Sequence, residues 1–122
     1  MIKSKVLNIK IQIRSRNKKT MDNLEITFNN EPIKNIVYNF DSNTTLVQFS
    51  VNETTEISQS ILSIKNVKNN DIVWIKSLYI NDFECSNYFG LITDRVPVVI
   101  IPQDTVLLKW QSPYSYYFLK FF

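Results

Sequence analysis

From Val6 to Arg14 the chain alternates without a break. Leu7, Ile9, Ile11 and Ile13 fall on one face, and Asn8, Lys10, Gln12 and Arg14 on the other. A period of two marks a half-buried antiparallel strand, because successive side chains leave a strand on opposite faces. The alternation returns in Leu24, Ile26 and Phe28, in Ile36, Tyr38 and Phe40, and in Val47, Phe49 and Val51. Ile61, Leu62, Ile64 and Val67 predict a fifth strand, and residues 98–101 and 105–110 two more. Turn chemistry separates these runs. Asn29-Asn30-Glu31-Pro32 predicts a hairpin, and Asp41-Ser42-Asn43, Lys68-Asn69-Asn70-Asp71 and Pro102-Gln103-Asp104 predict stops. Residues 15–22 and 86–94 read as loops. Residues 52–60 are polar and fit no period; they admit a short helix starting near Glu53. Pro97, Pro102 and Pro113 fall at element ends, where a missing N–H costs least.

Residues 72–85 stand out as the centre of the pattern. Val73, Trp74 and Ile75 are consecutive apolar residues, as in a strand buried on both faces. The apolar run resumes at Leu78, Tyr79 and Ile80 with its parity shifted across Lys76-Ser77. That shift predicts a β-bulge or a change of sheet. Asn81-Asp82 then supplies a turn, since both residues tolerate the left-handed conformation. Strands at roughly ten-residue spacing with little helix predict an all-β fold: a single-domain antiparallel β-sandwich, jelly-roll-like, of about eight strands. The sandwich is expected over residues 6–111.

Residues 112–122 break the pattern. Tyr114, Tyr116, Tyr117, Phe118, Phe121 and Phe122 crowd into the last ten positions. As a helix this tail would set Tyr114, Tyr117, Phe118 and Phe121 on one stripe. It reads as a short helix or an irregular tail, closing the core or contacting a partner subunit.

Composition narrows the chemistry. Histidine is absent, which removes Ser-His-Asp and Cys-His catalysis and histidine metal sites together. The single cysteine, Cys85, forbids an internal disulfide. No enzyme activity, cofactor or metal is expected. No apolar run reaches membrane-spanning length, and no apolar signal core follows the charged start. Asn43-Thr44-Thr45 and Asn52-Glu53-Thr54 match the glycosylation sequon, which without a secretory signal carries no weight. Alanine is absent, glycine occurs once, and there are 14 asparagines and 16 isoleucines, the imprint of a very AT-rich genome such as many phages and other viruses carry, and some free-living bacteria too.

The net charge of +3 conceals an asymmetry. Residues 1–21 hold seven basic residues and no acid, whereas residues 22–122 carry a net −4. Lys18 and Lys19 are therefore candidates for docking onto an acidic partner. Single-strand binding through residues 3–19 calls for aromatics among the basic residues. That segment has none, which counts against nucleic acid.

Two stretches resemble a known family. Leu24-Glu25-Ile26-Thr27-Phe28-Asn29-Asn30-Glu31-Pro32-Ile33 and Ser77-Leu78-Tyr79-Ile80-Asn81-Asp82-Phe83-Glu84 resemble the strand-turn-strand motifs of small jelly-roll carbohydrate-binding modules of the calcium-dependent xylan-binding type. Related domains are frequent in phage virion proteins. Residues 106–119 also look like the end of such phage proteins, a strand running into an aromatic tail. Asn30-Glu31 and Asn81-Asp82 stand where the family carries Asn-Gly. Asp71, Asp82 and Asp94 fall in loops, but nothing aligns them with calcium ligands. The resemblance and the genome imprint together imply a virion structural protein, a capsid decoration or a tail or fibre component. Its partners would be other subunits, possible copies of itself included, and it would be made in the host cytoplasm. The alternative is a lectin for host-surface glycans, with Tyr88, Tyr79 and Trp110 as stacking rings.

Overall fold

The computed structural model describes residues 4–15, 24–40, 44–54, 59–67, 72–84, 92–93 and 96–111. Every regular element among them is a strand. In chain order these are β1 (Ser4–Ser15), β2 (Leu24–Phe28), β3 (Glu31–Pro32), β4 (Val37–Phe40), β5 (Thr45–Thr54), β6 (Gln59–Asn66), β7 (Val73–Ile80), β8 (Phe83–Glu84), β9 (Ile92–Thr93), β10 (Val96–Ile100) and β11 (Thr105–Gln111). β3, β8 and β9 are two-residue pieces; the other eight carry the fold.

The strands form two antiparallel sheets, an all-β sandwich. The larger sheet runs β4-β5-β1-β7-β10-β9, with β8 paired to the far end of β7. The smaller runs β11-β6-β2-β3. Most of the alternation read in the sequence becomes the inner face of a sheet; the Ile36, Tyr38, Phe40 run does not, with Phe40 exposed and Ile36 and Tyr38 only partly buried. Leu7, Ile9, Ile11 and Ile13 of β1 meet Val47, Phe49 and Val51 of β5, and Val73, Ile75, Leu78 and Ile80 of β7, all buried. Ile26, Phe28, Leu62, Ile64, Leu108 and Trp110 close the core from the smaller sheet. Each such side chain contributes about 1.5–3 kcal/mol on leaving water. β1 is the axis of the larger sheet, paired to β5 from Ser4 to Ile13 and to β7 from Ile9 to Ser15.

The shift at Lys76-Ser77 is a β-bulge. Gln12 pairs with Ser77 and Ile13 with Ile75, so Lys76 has no partner across the ladder. Lys76 and Ser77 therefore follow one another on the side of Gln12, Lys76 exposed and Ser77 buried with its hydroxyl on Gln12, and the inward apolar set changes from Val73 and Ile75 to Leu78 and Ile80. One expectation for this strand needs correcting. Trp74 is only half-buried, so β7 is fully covered on one face alone.

Both short hairpins turn without glycine. Asn29 and Asn30 have φ of 50° and 69°, and Asn81 and Asp82 have 52° and 66°, the pattern of type I′ turns. The loop after β2 is therefore Asn29-Asn30, one residue earlier than the family pattern would set it, because Phe28 pairs with Glu31. Asparagine does more in these turns than tolerate a positive φ. The Asn29 N–H donates to the Ile61 carbonyl at 2.9 Å, and its Oδ1 accepts the Ile61 N–H at 2.8 Å. The Asn81 N–H donates to the Asn8 carbonyl at 2.8 Å, and its Oδ1 accepts the Asn8 N–H at 2.9 Å. In each case the side chain replaces the carbonyl of one more strand residue and extends the neighbouring ladder into the turn. Glycine has no oxygen to offer there.

Residues 53–54 are strand, not the start of a helix. They extend β5 against Ser4 and Lys5, and Glu53 is 2% exposed. Its Oε2 accepts the Trp110 indole N–H at 2.7 Å and the Ser60 hydroxyl at 2.8 Å. Those bonds, from residues on the other sheet, hold the strand where the local sequence is helix-compatible. At the opposite end of β6 the buried Asn66 amide donates to the Ile100 carbonyl at 3.0 Å. The Asn66 backbone also receives the Gln103 N–H and donates to the Asp104 carbonyl. Gln103, at φ 69°, follows Pro102 in a turn closed by the Asp104 N–H on the Ile101 carbonyl. Proline then a positive φ is the type II pattern.

Candidate functional site

The outer face of the larger sheet is built by the polar half of the β1 alternation and its neighbours. Across β1 and β5, Asn8 stands opposite Ser50, Lys10 opposite Gln48 and Gln12 opposite Leu46. Across β1 and β7, Lys10 stands opposite Tyr79, Gln12 opposite Ser77 and Arg14 opposite Trp74. Three amides on this face are held by their oxygens. Asn8 Oδ1 accepts from the Ser50 hydroxyl at 2.7 Å, Gln12 Oε1 from the Ser77 hydroxyl at 2.7 Å, and Gln48 Oε1 from the Asn39 amide at 2.9 Å. An amide bound through its oxygen keeps both N–H donors for another acceptor. From residue 8 to 14, every outward side chain of β1 thus presents N–H groups.

An open groove of about 840 Å³ borders this face. One wall is the connection from β3 to β4, with Glu31, Lys34 and Asn35; the other is Asn8, Lys10, Gln48, Ser50 and Asn52. The lining is rich in amides, and its charges balance, two lysines against Glu31 and Asp82. Lys10 Nζ lies 3.1 Å from Asp82 Oδ1, and both groups are well exposed. Such a pair contributes at most about 1 kcal/mol. Among the described residues, no three carboxylate or thiol side chains gather where a metal could sit.

The residues singled out from sequence are distributed unevenly. Trp110 is a core side chain, 2% exposed, with its ring 5.8 Å from that of Phe28. It offers no face to a sugar, because its indole N–H is turned inward to Glu53. Tyr79 is half-buried on the outer face. Tyr88, Lys18, Lys19, Tyr114, Tyr116, Tyr117, Phe118, Phe121 and Phe122 lie outside the described residues, as do Asp71, Asp94 and Cys85. Asp82 sits in the β7–β8 turn.

Sequence reading missed the pairing of Arg14 with Trp74. Trp74 lies between two core residues and was read as core, yet it shares its parity with Lys76, and that parity was the available signal. Also missed was the open flank. Val99, Ile101 and Leu107 are 37%, 54% and 52% exposed, and β11 pairs with β6 alone among the described residues. The chain matches no family model, no curated protein and no solved structure.

Proposed function

We propose that this chain is a non-catalytic structural subunit of a virion, a capsid decoration or a tail or fibre component, which works by packing against neighbouring subunits. The observation that carries the packing role is β11. Among the described residues it is a seven-residue edge strand, with Leu107 turned to solvent and Lys109 as its one charge. Proteins that live alone blunt such an edge with charges, proline or a bulge, because unpaired N–H and C=O groups recruit another chain. Ile101, in the turn that leads into β11, is also exposed. The genome imprint and the aromatic run at 113–122, which directly follows β11 in sequence, support the virion setting.

The test is the mass in solution by size exclusion with light scattering. Full-length protein is expected to self-associate, and an Ile101→Lys, Leu107→Lys double variant to run as a folded monomer. Truncation after Gln111 separates the tail from the edge. A monomeric full-length protein whose truncation unfolds would remove the packing role.

The groove beside β5 favours a second reading, recognition of a glycan. The amides of Asn8, Asn35, Gln48 and Asn52 suit a neutral, hydroxyl-rich ligand, and the charge balance excludes nothing uncharged. A glycan array checks it. Binding that Asn35→Ala and Gln48→Ala abolish supports the groove, and no bound glycan retires it.

A further inference from the structure

We propose that the outer face of β1 and β7 is a binding surface for single-stranded nucleic acid, centred on Arg14, Trp74 and Lys76. Single-strand recognition needs cations for phosphates and flat rings on which bases stack. Residues 3–19 have the cations and no ring, which is why the sequence counted against this partner. In the fold the rings arrive from another strand. Trp74 stands directly across from Arg14, and Tyr79 directly across from Lys10, all outward. The bulge adds Lys76 to the same side. Two cation–ring pairs thus lie on one face, separated by the Gln12–Ser77 pair.

The two ends of this surface differ in charge. Lys10 is neutralised by Asp82, and Glu84 pairs across from Tyr79. Arg14 and Lys76 have no carboxylate partner among the described residues. The Arg14–Trp74 end is therefore where an anion gains most. Successive outward residues of β1 are about 6.8 Å apart, twice the rise of an antiparallel strand. Their N–H groups form a row suited to an extended, acceptor-rich chain. A purine or pyrimidine stacking on Trp74, with a phosphate on Arg14 or Lys76, uses every group at that end.

The experiment titrates full-length protein with fluorescein-labelled oligothymidylate at low salt, following anisotropy and tryptophan emission together. Binding is expected with quenching of emission and with affinity that falls as salt rises. Trp74→Phe leaves buried Trp110 as the only tryptophan and should remove the quenching. Trp74→Ala should weaken binding about tenfold or more, the usual loss when a stacking ring is removed. Arg14→Glu and Lys76→Glu change exposed side chains and should each weaken binding several-fold, with circular dichroism confirming the fold. The proposal is overturned by the absence of binding. It is equally overturned by binding that these variants leave unchanged, which would assign it to other basic residues. Equal or tighter binding of an acidic polysaccharide such as heparin, without quenching, overturns it too by reducing the surface to a generic cation patch.

Discussion

Among the described residues the chain changes sheet five times, after β1, β3, β5, β6 and β10, and the crossings after β5 and β10 are secured by different chemistry. After β5 a buried carboxylate, Glu53, takes two side-chain donors from the opposite sheet on a single oxygen. After β10 the buried Asn66 amide donates to the Ile100 carbonyl, and its backbone bonds twice to the turn. The first closure depends on which side chains are present. The second also draws on main-chain groups that any residue supplies. Both fall on β6, at Ser60 and Asn66, with Leu62 and Ile64 between them. One strand therefore carries a fragile tie and a tolerant one.

The sharpest way to break this contrast is Glu53→Ala. It removes the acceptor of both the buried Trp110 N–H and the Ser60 hydroxyl, and a loss of about 3–5 kcal/mol in unfolding free energy is expected. Urea denaturation followed by tryptophan emission measures it; a loss below that of Asn66→Ala would reverse the ranking. Glu53→Gln keeps the shape and one acceptor oxygen, so about 2 kcal/mol is expected in the same assay. Asn66→Ala removes the side-chain bond to the Ile100 carbonyl and leaves the backbone pair, for about 1–2 kcal/mol. Ser60→Ala is the mildest, at about 1 kcal/mol. The combination Glu53→Leu, Ser60→Ala, Trp110→Phe sharpens the comparison further. Removing both donors together with the carboxylate leaves neither donor without its acceptor, and the triple variant is expected to be more stable than Glu53→Leu alone.

The same contrast explains what the sequence could disclose. The β1 and β5 faces, the bulge at Lys76 and the turn at Asn81-Asp82 follow from near neighbours: parity, its shift, and residues that accept a positive φ. The all-β sandwich follows from repeating those signals. Glu53 was illegible because its donors include Trp110, 57 positions away in the chain. Nothing near Asn52-Glu53-Thr54 announces them. Trp110 itself was offered as a sugar-stacking ring, since an indole in an apolar strand looks alike whether its N–H faces a carboxylate or water. The Arg14–Trp74 pair was hidden for a related reason, being set by the register between strands, which local pattern does not encode.

The position of β1 at the middle of the larger sheet also sets a schedule. As the chain is synthesised, β1 leaves the ribosome before either of its neighbours. Its pairing with β5 waits for residues 45–54, and its pairing with β7 for residues 73–80. Until then the row Leu7, Ile9, Ile11 and Ile13 has no sheet to enter. Contacts between such distant segments make folding slow, and an apolar strand that must wait is the part most open to capture by another chain. The basic residues interleaved along β1 and following it, Lys10, Arg14, Arg16, Lys18 and Lys19, give that waiting strand a like charge in every copy. Mutual repulsion between nascent chains would then protect the strand during the interval its own topology imposes.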